Sequence, residues 1–455
     1  MNGMLMRRLI FPGVIALTAS AVLMGSASAN TRTASFGFSY AYSYGKHGLS
    51  QPYAGPSTTA QSYGTGVAIR ASDIRQQVYS LVEANPNVGV GGVRGAFPAA
   101  SRTISASSST PSYLGPYYLA RRTSDGRIDT TFGAHGYVSG FGNSTASSYQ
   151  FTSLCIDPGT GNIVVVGKEA TSTGQVGVVE RLLPPARGSG TASLDLTFNR
   201  TGAAPGVVTI ATPNGHNSPT LYGCSVVDEG AGHSGAILVG GVDDAASSSL
   251  VLAAKLSSSG GYDTIFGSNG VVEYPVQSLD GSGPSAEITN ISLSGAHSDF
   301  PDVILSGFSF TKGTKAGSSA KATALTVAVK NRTGALDTNF NGTGELINPN
   351  YGEAVLARVK SRHVGRNRGA ATDLYIVYGT VGTDAAAFVD YPIHRGIPNT
   401  ADSTTTRAGT FTVPHDFASM QGYTVNSRGR IVVSGDTSAD AEMLTEIRGS
   451  SALGY

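Results

Sequence analysis

One twelve-residue pattern returns four times in this chain. It reads GRIDTTFGAHGY at 126–137, ASLDLTFNRTGA at 192–203, GGYDTIFGSNGV at 260–271 and GALDTNFNGTGE at 334–345. The shared form is a small residue, a variable or apolar pair, Asp, two variable positions, Phe, Gly or Asn, two variable positions and Gly. Its fixed points are Asp129, Asp195, Asp263 and Asp337, with Phe132, Phe198, Phe266 and Phe340; the phenylalanines are 66, 68 and 74 residues apart. A unit of this length that recurs in series cannot bury its apolar faces alone, so it must stack on its neighbours.

The residues between the copies predict what is stacked. Glycine-flanked valine and isoleucine runs precede the motifs at Val88–Val93, Ile163–Gly167, Ile237–Gly241 and Val303–Gly307. Another apolar segment lies ahead of each run. A third follows, at Tyr117–Arg121, Val176–Leu182, Leu250–Leu256 and Ala324–Lys330, and a fourth begins at the last motif glycine. Four short strands per unit, broken by Gly, Ser, Asn and Asp turns, describe an antiparallel meander. A fifth unit, Val355–Val413, keeps the strand order but has residues 392–408 where the motif belongs. A sixth begins at Gly422 and ends with the chain after three strands. The segment SYGKHGL at 43–49 carries the end of the motif, with Tyr44 for Phe, and is expected to supply the missing last strand. Such sharing leaves no open sheet edge. The expected fold is an all-β propeller of four-stranded blades. Six blades fit best, at 63–142, 147–213, 219–278, 285–349, 353–415 and 418–455 completed by 40–55. Five or seven blades, and an open solenoid of stacked sheets, are the alternatives.

The motif resembles the delta-60 repeat, a β-propeller repeat of bacterial secreted and cell-surface proteins, over nearly the whole chain after its first 29 residues. The resemblance implies the fold and an exported location; it implies no chemistry, because fold and activity are separate matters.

Compartment is read from the start of the chain. Arg7 and Arg8 are followed by the apolar run Leu9–Met24 and the small-residue site Ala27-Ser28-Ala29, which marks residues 1–29 as a secretory signal peptide. The run is interrupted by Pro12 and Gly13 and is short for a bilayer span. No other segment is long and apolar enough to span, so the remaining chain is expected to be periplasmic or extracellular. It carries 29 basic and 30 acidic residues. That balance gives no general attraction to nucleic acid or to anionic membrane.

Candidate sites are few. The repeated aspartates invite a reading as a ring of carboxylates, but a residue found in most units is usually architectural. Each is expected to accept backbone hydrogen bonds in a turn while the following Phe plugs between units. Cys155 and Cys224 fall in the first strands of consecutive units, where a disulfide or two buried thiols would fit. The run RVKSRHVGRNR holds Arg358, Lys360, Arg362, Arg366 and Arg368 without an acid. It is either a patch for an acidic ligand or a solvated hairpin. The eight histidines show no metal-ligand spacing. No nucleophile elbow, phosphate loop, dinucleotide fingerprint or calcium loop occurs, and no cofactor is expected.

Two functions follow. The first is a non-enzymatic exported module that binds a glycan, a surface component or a protein. The second is a hydrolase or lyase that gathers acids, His and Tyr from several units at the channel mouth. The loops at 100–113 and 309–321 are expected to surround that mouth.

Overall fold

A computed structural model of the protein describes residues 39–40, 61–69, 77–85, 117–138, 149–184, 193–213, 218–227, 233–244, 249–275, 285–293, 302–311, 321–348, 353–362, 371–379, 385–394, 397–398, 407–412, 417–425, 431–437 and 442–448. These residues form six antiparallel sheets. Strand β1 (Ser39–Tyr40) belongs to the last of them. The first sheet holds β2 (Gln61–Ile69), β3 (Val78–Asn85), β4 (Tyr117–Arg122) and β5 (Tyr137–Val138). The second holds β6 (Tyr149–Ile156), β7 (Ile163–Thr171), β8 (Gly174–Leu183), the two-residue β9 (Ser193–Leu194) and β10 (Val207–Ile210). The third is β11 (Pro219–Val226), β12 (Ile237–Asp244), β13 (Ser249–Leu256) and β14 (Val271–Pro275). The fourth is β15 (Ser285–Leu293), β16 (Asp302–Thr311), β17 (Lys321–Lys330) and β18 (Glu345–Asn348). The fifth is β19 (Glu353–Arg362), β20 (Ala371–Gly379), β21 (Ala385–His394), β22 (Ile397–Pro398) and β23 (Arg407–Thr412). The sixth is β24 (Phe417–Val425), β25 (Ile431–Thr437) and β26 (Glu442–Arg448), joined by β1.

The valine runs at 163–167, 237–241 and 303–307 are strands buried on both faces. Ile163, Val164, Val165 and Val166 are all fully buried. Side chains alternate across a strand. Accordingly Ile163 and Val165 join the core shared with the first sheet, and Val164 and Val166 join the core shared with the third. A third core lies between the third and fourth sheets, built on Leu238, Val251, Leu305 and Val327. Continuous β-branched sequence is what a strand covered on both sides requires.

The sheets follow one another in a closed circuit. The first strand of each touches the first strand of the next, from β2 through β6, β11, β15, β19 and β24 and back to β2. Each first strand carries a bulge, at Gly64/Gly66, Phe151/Ser153, Leu221/Gly223, Ile288/Asn290, Ala354/Leu356 and Met420/Gly422, and β24 has a second at Phe417/Ser419. Bulges bend a strand and increase its twist. They explain the glycine that ends most of the runs. Gly167 pairs with Phe151 just before the bulge, and a β-carbon there would lie 1.9 Å from the Gln150 carbonyl oxygen.

Two features depart from the sequence reading. In the first sheet the second strand is β3, with Val78, Tyr79 and Leu81 buried. The glycine-flanked run Val88–Val93 lies outside the described residues. Glycine flanking was the wrong cue there, because the continuously buried stretch, residues 78–81, sits ten residues earlier. In the second unit the motif closes on Gly206 rather than Gly202. The Gly206 amide donates to the Phe198 carbonyl, as Gly136, Gly270 and Gly344 do to Phe132, Phe266 and Phe340. Four extra residues lengthen that turn.

Ring closure follows the expectation in kind: an N-terminal strand completes the last sheet. The N-terminal pairing is Ser39↔Arg448 and Tyr40↔Ile447, whereas Tyr44–Leu49 lies outside the described residues. This pairing matches that of β9, Leu182↔Leu194 and Leu183↔Ser193, which immediately precedes the motif aspartate Asp195. Tyr40 stands as far before Tyr44 as Leu194 stands before Phe198, so the N-terminal segment enters the sixth sheet in frame with the repeat. In the fifth sheet β22 occupies the matching position on β21 and β23 is the outer strand, with no Asp-x-x-Phe between them.

Cys155 on β6 and Cys224 on β11 are joined by a disulfide, with α-carbons 5.7 Å apart. It crosslinks first strands of adjacent sheets across 69 residues of sequence. Closing a loop of this length restricts the unfolded chain, so replacing both cysteines by Ser is expected to lower stability by about 2–4 kcal/mol. Urea unfolding of oxidised, reduced and doubly substituted protein checks this. Equal midpoints for all three would refute it.

Candidate functional site

The repeated aspartates sit in turns between the third and fourth strands. Each turn is pinned by its main chain. The Asp129, Asp195, Asp263 and Asp337 amides donate to the carbonyls of Arg121, Arg181, Lys255 and Ala328 on the third strand, and their own carbonyls accept from the Phe amides. One carboxylate oxygen then caps the turn. Asp195 Oδ1 accepts from the Thr197 amide at 3.0 Å and from the Thr197 hydroxyl at 2.5 Å. Asp129 Oδ1 is bound in the same way by Thr131, and Asp337 Oδ1 by the amide and side chain of Asn339. The residue after Phe has positive φ in all four copies, Gly133, Asn199, Gly267 and Asn341. Gly and Asn tolerate that conformation best, which explains why only they occur there.

The other carboxylate oxygen faces the third strand. Arg121 Nε donates to Asp129 Oδ2 at 2.9 Å, Arg181 Nε to Asp195 Oδ2 at 2.8 Å, and Lys255 Nζ lies 3.3 Å from Asp263 Oδ2. Ala328 occupies the matching position in the fourth sheet, so Asp337 has no such cation there. Burial alone would raise the Asp195 carboxyl. The Thr197 hydrogen bonds and the Arg181 charge outweigh it and hold the group below the ordinary carboxylate value; Asp129 is lowered in the same way by Thr131 and Arg121.

These turns join consecutive sheets. Phe132, Phe198, Phe266 and Phe340 are at most 1% exposed. Arg121 and Arg181 lie over the Phe132 and Phe198 rings, 4.5 and 4.6 Å from the centroids. The Asn199 amide donates to Ser259 in the third sheet's turn, and Gly267 to Thr333 in the fourth's. Arg181 also donates to Ser234 Oγ and the Ser258 carbonyl, and Lys255 to the Asn331 carbonyl. The cation, the Phe and the turn therefore form a latch onto the following sheet.

The other candidates are dispersed. Arg358, Lys360 and Arg362 lie on β19, in register with Tyr375, Asp373 and Ala371 of β20. Arg366, Arg368 and the loop at 100–113 lie outside the described residues, as do most of 309–321. His135 is a positive-φ turn residue, and His394 pairs with Ile397 at the end of β21. Among the described residues no three His, Cys, Asp or Glu side chains converge as a metal site. At the start of β6, Tyr149 pairs in register with Glu169 of β7. Burial, then the charges of Glu169 and of the buried Glu180, push its phenol up to about 12.

Among the described residues a concavity opens beside a repeated turn. A groove of about 730 Å³ in the third sheet is lined by Lys255, Ser257, Ser258, Tyr262, Asp263 and Ile265, with His233 and Ser234 from the β11–β12 connection. Lys255 and Asp263 are the ends of a latch, yet Asp263 is 30% exposed where Asp195 is 5%. The sequence reading grouped Asp263 with its three counterparts and did not single out Tyr262 or Ile265. The available signal was the second variable position of the motif, which is Thr, Thr, Ile and Asn in order.

No protein-family model matches the chain, and no curated protein matches its sequence. Solved structures do. The GH93 alpha-L-arabinofuranosidase of Fusarium graminearum, in complex with arabinobiose, is 9% identical with a TM-score of 0.47, over 89% of this chain and 98% of that one. The alpha-L-arabinanase of Penicillium chrysogenum gives 9% and 0.44 over 88% and 96%. Drosophila Semaphorin 1b gives 8% and 0.32 over 86% and 88%. These neighbours are β-propellers; by its own strand pairing this chain is an all-β protein whose described residues form six antiparallel sheets.

Proposed function

We propose that this chain is an exported, non-enzymatic β-propeller of the delta-60 repeat type that binds a glycan, a surface component or a protein partner. The observation that carries the reading is how the recurring carboxylates are used. Three of the four are consumed by turn amides, by neighbouring hydroxyl or amide side chains and, in two, by an arginine that latches the next sheet. The repeated chemistry is thus scaffold. What the third sheet presents to solvent is a groove of hydroxyls and mixed charge, a surface suited to recognition.

A screen of the purified chain against neutral and acidic glycans, with reducing-end release measured on the same polysaccharides, tests this. Binding without product is expected. Product formation would replace the reading with the second one, a hydrolase or lyase at the channel mouth.

Export is tested separately. In a bacterial host the full chain is expected to be cleaved after Ala29, so that N-terminal sequencing of the periplasmic or secreted product begins at Asn30. Retention of the full-length chain in the cytoplasm would sink the proposal of export.

A further inference from the structure

The third motif departs from its siblings at one position, and the departure opens its carboxylate. In the first, second and fourth units the second residue after Asp is Thr131, Thr197 or Asn339, and its side chain donates to Asp Oδ1. In the third unit that residue is Ile265. Only its amide reaches Asp263 Oδ1, at 3.2 Å, and the residue is 63% exposed. The cation differs as well. Arg121 and Arg181 grip their aspartates through Nε, whereas Lys255 stands 3.3 Å away and shares its ammonium with the Asn331 carbonyl. A carboxylate oxygen can accept two hydrogen bonds, so Asp263 Oδ1 keeps an acceptor position that its counterparts fill internally.

The surroundings of that position are specific. Ile265 and Tyr262 supply an apolar wall; Tyr262 is 36% exposed, and its hydroxyl is fixed to the Thr209 carbonyl of the second sheet at 2.6 Å. Ser257, Ser258 and Thr264 line the same groove. Lys255 offsets the Asp263 charge, so the groove favours neither a free cation nor a free anion. A closely spaced set of acceptors and donors beside an exposed apolar wall matches a sugar ring, which carries hydroxyls at its edge and C–H groups on its face.

We propose that the Asp263–Ile265 groove binds one sugar unit of a neutral glycan, with ring hydroxyls donating to Asp263 and the C–H face against Ile265 and Tyr262. This rests on the reading of the chain as a binding propeller and names the ligand class and the place.

The test exploits the repeat itself. Ile265→Thr recreates the residue found in the first and second units, so it should fold normally while closing Asp263 in. The chain is screened on an array of neutral and acidic glycans, and the best neutral oligosaccharide is titrated calorimetrically into wild type, Ile265→Thr and Asp263→Asn. The expected result is binding at least tenfold weaker in both variants, with the unfolding midpoint of Ile265→Thr unchanged. Neutral-glycan binding that survives both substitutions overturns the groove and leaves the binding-propeller reading intact. Preference for acidic glycans alone overturns the ligand class. Binding of a random peptide library that is lost in Ile265→Thr overturns the sugar assignment. No binding to any glycan or peptide overturns both the groove and the reading beneath it.

Discussion

Phe198→Ala is expected to lower the folding stability of the protein by about 3–5 kcal/mol. The ring is fully buried in the core between the second and third sheets, among Val164, Val208 and Leu221. It is covered from three directions. The Arg181 guanidinium lies over one face, its own turn closes the edge, and Gly260 of the third sheet lies over it. A β-carbon at Gly260 would be 3.0 Å from the ring and 2.7 Å from the Asn199 nitrogen. Removing the ring leaves a cavity among these neighbours, and its cost adds to the lost burial. Gly260→Ala is itself expected to destabilise, because the residue has φ of +89° and because of the ring. The double variant should be less damaging than the sum of the two, since removing the ring relieves one clash. The φ strain and the Asn199 contact remain. Urea midpoints of the four proteins measure this coupling. Strict additivity would mean that Gly260 and Phe198 do not meet across the sheets.

That contact also marks how much was legible beforehand. The period, the strand order and the place of Cys155 and Cys224 in successive first strands follow from pattern, because burial on both faces forces continuous apolar runs and stacking forces equal spacing. The Asp and Phe positions could be read as turn and plug, but not as a latch. Arg181, Ser234 and Ser258 are far apart in sequence, and nothing local links them. Gly206 was missed because a turn four residues longer hides its equivalence to Gly136 and Gly270. Val78–Asn85 was missed because glycine flanking, reliable at Gly167 and Gly241, depends on the bulge it faces and not on the strand itself. The groove was hidden for another reason. A single Ile among Thr, Thr and Asn looks like permitted variation until the Asp263 carboxylate is seen without its side-chain donor.

Arg181→Ala should cost about 3–5 kcal/mol, the scale for removing one partner of a buried pair. Arg181 and Asp195 are 6% and 5% exposed, so the remaining carboxylate would keep its charge with only Thr197 and Asn162 to stabilise it. The latch to Ser234 and Ser258 would go with it. Lys255→Ala should cost less, because Asp263 is 30% exposed and water replaces the ammonium. The natural Ala328 shows that a latch without this cation is compatible with the fold. The pH dependence gives the sharper test. Asp195 is held below its unfolded value, so its pairing contributes fully above the unfolded carboxylate pKa of about 4 and is lost as the pH falls through the lower folded value. The stability gap between wild type and Arg181→Ala should be constant from neutral pH down to about pH 5 and then close in acid. A gap that persists unchanged into acid would assign the cost to the lost packing of the guanidinium over Phe198 rather than to the charge, and the latch would then be a steric device.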